Sequence, residues 1–261
     1  MRVVIKIGTS TITNENRSVN VGLLDRLALV LSHLRGQGQQ VILVSSGAIA
    51  VGANKLRLQE RPSELRMKQA VAAIGQLELM HLYDKLFGEY GTVIGQILLT
   101  DTDVDSLARR AHLVNTFDAL LELGVIPIVN ENDSVSASEI ETGDFRVLGD
   151  NDTLSAIVAV LVKADMLILL TDVDALYDAD PRVNPGAKPI REVHGLAELE
   201  KLKPLAGNGG TWGTGGFLTK LNAAEIALKN NITMYISDGK DLNGIYEMCG
   251  GGKVGTRFSP L

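Results

Sequence analysis

The chain has 261 residues, 45% of them hydrophobic, with 25 Lys and Arg against 31 Asp and Glu and a formal net charge of −6. Such a length can bury a sizeable core, which excludes a disordered chain, and the acidic balance argues against nucleic acid held by clustered cations. No run of about twenty apolar residues offers a membrane-spanning helix, and a single cysteine, Cys249, rules out an internal disulfide and suits a reducing cytoplasm.

The N-terminal "VVIKI" reads as a strand, since its apolar run is too short for a signal peptide and is interrupted by Lys6. Leu23, Leu24, Leu27, Leu31 and Leu34 then recur at helical spacing, and "VILV" follows as a second strand, closing a β-α-β unit. A long helix is expected from about Pro62 to Phe87, then a strand "TVIGQILL", a helix across "RRAHLVNTFDALLELG" and a strand "VIPIVN". "SVSASEIETGDFRVLG" alternates about a Thr-Gly turn, as a hairpin projecting from the sheet edge would. A helix "DNDTLSAIVAVLVKA" and a strand "MLILLT" resume the repeat. From Asp172 to Pro204 the composition turns to Asp, Pro and Asn, with "DADPRVNPGAKPI" reading as loop and turn. The expected boundary between two lobes of a single domain falls here, between residues 1–171 and 172–261. A glycine-rich stretch, a helix "FLTKLNAAEIALKN", a strand "ITMYI", a short helix and "KVGTRFSPL" complete the chain. The fold class is α/β, an open, mainly parallel sheet sandwiched by helices, with ligands expected at the carboxyl ends of the strands.

Four polar turns fall at those ends: "KIGTST", "SSGAIA", "NENDSVS" and "TDVDALY". Neither the Walker nor the Rossmann phosphate signature is present. Instead Lys6 precedes Gly8, Thr9 and Ser10, whose N–H and O–H groups can cradle an anion. Lys220 repeats the arrangement behind "GTGGFLT", where free amides meet a helix N-terminus. The earlier glycines of "GNGGTW" are expected to form a mobile flap. Glu131, Asp133, Asp150 and Asp152 gather with Asn130, Asn132 and Asn151 in two clusters; either Asp150 or Asp152 also suits a helix N-cap. His33, His81, His112 and His194 all lie outside these loops, so no general base is evident. A carboxylate acceptor, ionised at neutral pH with a pKa of roughly 4, needs none.

Eight collinear motifs carry a resemblance: "VVIKIGTST", "VSSGAIAVG", "QAVAAIGQLELM", "GVIPIVNENDSVS", "GDNDTLSAIVA", "LILLTDVDALY", "GTGGFLTKLNAA" and "VGTRF". Over nearly its whole length the chain resembles the amino acid kinase family. "NENDSV" and "SSGAIA" point to the branch acting on free glutamate rather than on acetylglutamate, aspartate, carbamate or UMP. The resemblance implies ATP-dependent phosphorylation of the γ-carboxylate of L-glutamate, the first step of proline biosynthesis, in the cytoplasm. Mg²⁺ would be bound mainly through the nucleotide phosphates, and the protein would contribute no dedicated metal site. By the same resemblance Lys6 and Lys220 would stabilise the transferring phosphoryl group and Asp152 would orient them. Ser46, Asp133, Asn151 and Asn130 would bind glutamate. Lys6, Thr171, Asp172, Thr214, Gly215, Gly216, Phe217, Leu218, Thr219 and Lys220 would form the nucleotide site. Proline is the implied inhibitor, a homodimer or homotetramer the implied assembly, and the C-terminal PUA domain of many members is expected to be lacking. Ala175, where the family usually has Gly, and Trp212 and Phe217 depart from its pattern. The residues alone also fit a nucleotide- or amino-acid-binding sensor without catalysis; the joint presence of Lys6, Asp152 and Lys220 weighs against it.

Overall fold

The structure is a computed structural model that describes residues 1–136, 150–179, 184–207 and 216–260. The chain opens with β1 (Arg2–Ile7), the single-turn α1 (Thr9–Ile12), α2 (Val21–Gly36) and β2 (Gln40–Ser45). Next come α3 (Ala48–Lys55), α4 (Leu65–Glu89), β3 (Ile94–Leu99), α5 (Asp101–Asp105), α6 (Leu107–Glu122) and β4 (Ile126–Glu131). The second half holds α7 (Asn151–Leu161), β5 (Met166–Thr171), β6 (Leu176–Tyr177), β7 (Pro189–Ile190), β8 (Glu192–His194), α8 (Gly195–Gly207), α9 (Gly216–Lys229), β9 (Thr233–Asp238), α10 (Gly244–Cys249) and β10 (Thr256–Ser259). None of the described helices is long and apolar enough to cross a membrane.

Eight strands form one sheet in the order β3-β4-β2-β1-β5-β9-β10-β8, parallel from β3 to β9, with β10 antiparallel to β9. The strands preceding the four polar turns, β4, β2, β1 and β5, lie side by side, so their carboxyl ends share one edge. The sequence-derived lobe boundary falls immediately after β5, within this continuous sheet.

Alternation along the strands divides the core in two. Val3, Ile5 and Ile7 of β1 pack with Leu24, Leu27 and Leu31 of α2 and Tyr83 and Phe87 of α4. Val4 of β1 turns to the other face, with Leu154 and Val158 of α7 and Leu221 and Ala224 of α9. Lys6 shares the parity of Val4, which directs it to the face where α7 and α9 begin. It pairs in register with Val44 of β2 and Leu169 of β5.

The stretch from Asp172 onward, which carried no strand or helix expectation, holds β6, β7, β8 and the thirteen-residue α8, with Pro204 inside the helix. Proline disfavours a helix interior by roughly 3 kcal/mol. Burial offsets this, because Leu199 is fully buried in the α7–α9 core and Leu202 packs against it. Turn chemistry dominates the reading of the segment, while the burial of Leu199 and the packing of Leu202, three residues apart, carry the outcome. The short α1, α3 and α5 also arise within stretches that carried no helix expectation. The expected 134–149 hairpin, beyond Ser136, and the flap from Asn208 onward lie outside the described residues.

Candidate active site

A cavity of about 460 Å³ opens at the shared carboxyl edge, lined by the turns after β1, β2 and β4, by the start of α7 and by Thr219 of α9. Its charged core is a bridge across one carboxylate. Lys6 Nζ lies 2.6 Å from Asp152 Oδ1, and Lys220 Nζ lies 3.4 Å from Asp152 Oδ2. Thr219 Oγ1 donates to Asp152 Oδ2 at 3.0 Å, and Lys220 Nζ donates to the Gly216 carbonyl at 2.9 Å, folding the lysine back over the first turn of α9. Lys6 is 8% exposed and Asp152 4%. Burial pushes the Asp152 carboxyl up, but the charges of Lys6 and Lys220 and the hydrogen bonds from Lys6 and Thr219 outweigh it, holding the pKa below the usual carboxylate value. Two cations against one carboxylate leave a local excess of positive charge where an anion can sit.

The capping ambiguity resolves cleanly. Asp150, in extended backbone, is the N-cap of α7, its Oδ1 accepting from the Asp152 and Thr153 N–H groups at 2.7 and 2.9 Å. That leaves the Asp152 side chain for the lysines. Asn151, the residue between them, points its amide elsewhere: Nδ2 donates to Ser46 Oγ at 2.7 Å and to Asn130 Oδ1 at 3.2 Å. Asn130 Nδ2 in turn donates to Gln76 Oε1 of α4 at 2.9 Å. Ser46, Asn130, Asp133 and Asn151, four residues from three separate segments, all line the cavity with Lys6 and Asp152.

The expected nucleotide residues divide. Thr219 lines the cavity beside the lysine bridge. Gly216 and the exposed Leu218 lie in the same first turn of α9, whereas the Phe217 side chain is buried in the core. Any ligand contact by Phe217 therefore falls to its backbone. Thr171 and Asp172 do not line the cavity; the Thr171 hydroxyl accepts from the Val173 N–H at 3.0 Å and Asp172 is exposed. Ala175 is fully buried. Thr214, Gly215 and Trp212 lie outside the described residues.

One contributor escaped the sequence reading: Arg61, from the segment before α4, joins the cavity wall, whereas Ala48, Ile49 and Ala50 of the expected "SSGAIA" turn line it as the first turn of α3. That turn starts from Gly47, at φ 106°, where a Cβ would stand 2.4 Å from Ile12 Cδ1; no side chain caps it, which leaves its amides toward the cavity. The glycine in "SSGAIA" was the available signal for the turn, but Arg61 carries none, because its loop reaches the cavity only through the tertiary fold. None of the four histidines lines the cavity. His33 pairs with Tyr246, His194 with Ser259, and His81 and His112 are exposed.

Comparison with known proteins shows the family of the chain. A glutamate 5-kinase of Clostridium perfringens is 48% identical over 98% of this chain and 94% of its own length. One of Listeria monocytogenes is 48% identical over 99% of this chain and 92% of its own, and one of Synechococcus elongatus 47% identical over 99% and 69%. Among solved structures, a UMP kinase of Bacillus anthracis matches with a TM-score of 0.64 at 17% identity, covering 99% of this chain and 95% of that one. An isopentenyl phosphate kinase of T. acidophilum, in a product complex, matches at 0.60 and 18%, covering 99% and 100%. These two likenesses bear on the fold. With residues 1–238 matching the profile of the Amino acid kinase family, the chain belongs to that family.

Proposed function

We propose that this chain transfers the γ-phosphoryl group of ATP to the side-chain carboxylate of L-glutamate, giving γ-glutamyl phosphate and ADP as the first step of proline biosynthesis. The observation that carries the reading is the Lys6–Asp152–Lys220 bridge, of which Lys6 and Asp152 line one cavity with Ser46, Asn130, Asn151 and Asp133, while Lys220 reaches it through Asp152. The glutamate 5-kinases that match end to end supply the acceptor.

A carboxylate oxygen attacks the γ-phosphorus as the bond to the bridging oxygen of ADP breaks, and no proton is abstracted, in keeping with a cavity that no histidine lines among the described residues. Lys6 and Lys220 receive the charge that spreads over the phosphoryl oxygens, and Asp152 fixes both ammonium groups beforehand. Asp133 is the carboxylate for the substrate ammonium, which an acetylated substrate lacks. Thr171, Asp172, Gly216, Leu218, Thr219, the Phe217 backbone, and Thr214 and Gly215 outside the described residues complete the nucleotide site of this proposal. Mg²⁺, held mainly through the nucleotide phosphates, neutralises part of their charge when bound. Inhibition by proline, assembly as a homodimer or homotetramer, action in the cytoplasm and division into an acceptor and a nucleotide lobe belong to the same proposal, on the strength of the family resemblance.

The test is an acceptor panel with Mg-ATP and hydroxylamine. γ-Glutamyl hydroxamate is expected with L-glutamate, whereas product only with acetylglutamate or aspartate would move the chain elsewhere in the family. Ligand binding in calorimetry with no ADP release would make it a sensor.

A further inference from the structure

The motif "QAVAAIGQLELM" on α4 supplies no residue to the phosphoryl chemistry, yet two of its residues meet the cavity from behind. Gly75 lets α4 touch α3: a Cβ there would stand 1.8 Å from the Ala48 carbonyl oxygen, and one on Gly52 of α3 would stand 2.0 Å from the Val71 carbonyl oxygen. The next residue, the half-buried Gln76, is thereby held against β4. Its Oε1 accepts from Asn130 Nδ2 at 2.9 Å.

The direction of that bond is carried along the chain beyond it. With Asn130 Nδ2 turned to Gln76, Asn130 Oδ1 faces Asn151 and accepts from its Nδ2, which also donates to Ser46 Oγ. Both partners of Asn151 Nδ2 are protein atoms, so Oδ1 is the polar atom this amide keeps for the cavity that Asn151 lines. The Ser46 hydroxyl, already an acceptor, keeps its proton to donate. The cradle thus offers an acceptor and a donor to a zwitterion. Without the Gln76 acceptor, Asn130 can turn over and donate to Asn151; Asn151 then turns as well and presents N–H groups to a substrate ammonium.

We propose that Gln76 is a positioning residue that sets the donor–acceptor polarity of the Asn130–Asn151–Ser46 chain and so selects a substrate with a free ammonium group. The inference rests on the glutamate reading above. Gln76 touches no reacting atom and acts through Asn130.

The test is steady-state kinetics of hydroxamate formation in the full chain. Gln76→Met removes the acceptor at similar volume. The KM for glutamate is expected to rise about tenfold, with kcat within about threefold and the KM for ATP unchanged, the scale expected when a buried polar group meets the wrong partner. The preference for glutamate over N-acetylglutamate falls with it. Gln76→Glu keeps an acceptor and restores the glutamate KM to within about threefold of the parent. An unchanged glutamate KM in Gln76→Met, or a Gln76→Glu variant as impaired as Gln76→Met, overturns the proposal. If Gln76→Met does not fold, Gln76→Ala carries the same expectations. Failure of the glutamate reading is seen separately, in the parent protein's acceptor panel, before any variant is made.

Discussion

The two sides of the cavity hold a ligand by different physics. Toward the α7–α9 face, Lys6 and Lys220 converge on Asp152 with full charges in a buried setting. Toward the α4 face, Ser46, Asn151, Asn130 and Gln76 form a chain of neutral hydrogen bonds. Charges act on charge that develops during the reaction; neutral amides act on the shape and polarity of what is already bound. Two successive residues at the start of α7 divide the work: Asn151 joins the neutral side and Asp152 the charged side, with Asp150 capping the helix so that neither is diverted.

This contrast can be broken first at the lysines. Lys6→Ala and Lys220→Ala are each expected to lower turnover by at least about 10²-fold, roughly 3 to 4 kcal/mol, while glutamate binding measured by calorimetry survives. Near-normal turnover in either variant would remove that lysine from the mechanism. The Gln76 variants are the converse, moving KM rather than kcat.

Next in size is an effect of acid. The Asp152 carboxyl has its pKa lowered in the folded state, so its contribution to stability is complete above the unfolded value, near 4, and is lost as pH falls through the folded value. Urea unfolding between pH 6 and 3 is therefore expected to show a shallower fall in stability for Asp152→Asn than for the parent. Parallel curves would deny that the bridge is coupled to folding.

The smallest effect is expected at Cys249, the last residue of α10, which contributes to neither side. Burial pushes its thiol up to about 11, so at neutral pH the thiolate is scarce. Alkylation by iodoacetamide should be at least about tenfold slower than that of a free cysteine, and Cys249→Ala should leave both kcat and KM within about twofold. Rapid alkylation with loss of turnover would place α10 closer to the chemistry than the fold puts it.

Legibility differed between the two sides for the same physical reason. Lys6 stands out because a cation interrupts an apolar strand before Gly8, and Lys220 because it follows a glycine-rich turn, both patterns readable within a few residues. The neutral chain has no such signature. Asn130 and Asn151 stood out only as members of two acidic-amide clusters and through the family resemblance, and Gln76 as one more residue of a long helix, because an amide's partners lie 21 and 54 residues away. Arg61 was missed on the same ground. Between Asp172 and Pro204, dense Asp, Pro and Asn outweighed a weak leucine period, whereas packing against the α7–α9 core decided for a helix.

By itself the sequence determined the alternation of strands and helices, the parallel sheet and the two lysine turns, since hydrophobic periodicity, glycine placement and charge act locally. Only the tertiary structure decided that β4, β2, β1 and β5 stand side by side, that Asp150 caps while Asp152 bridges, and that α4 reaches Asn130 through Gln76. Those outcomes turn on strand order and helix crossing, where a hydrogen bond's direction is set by whichever distant group the fold brings within about 3 Å.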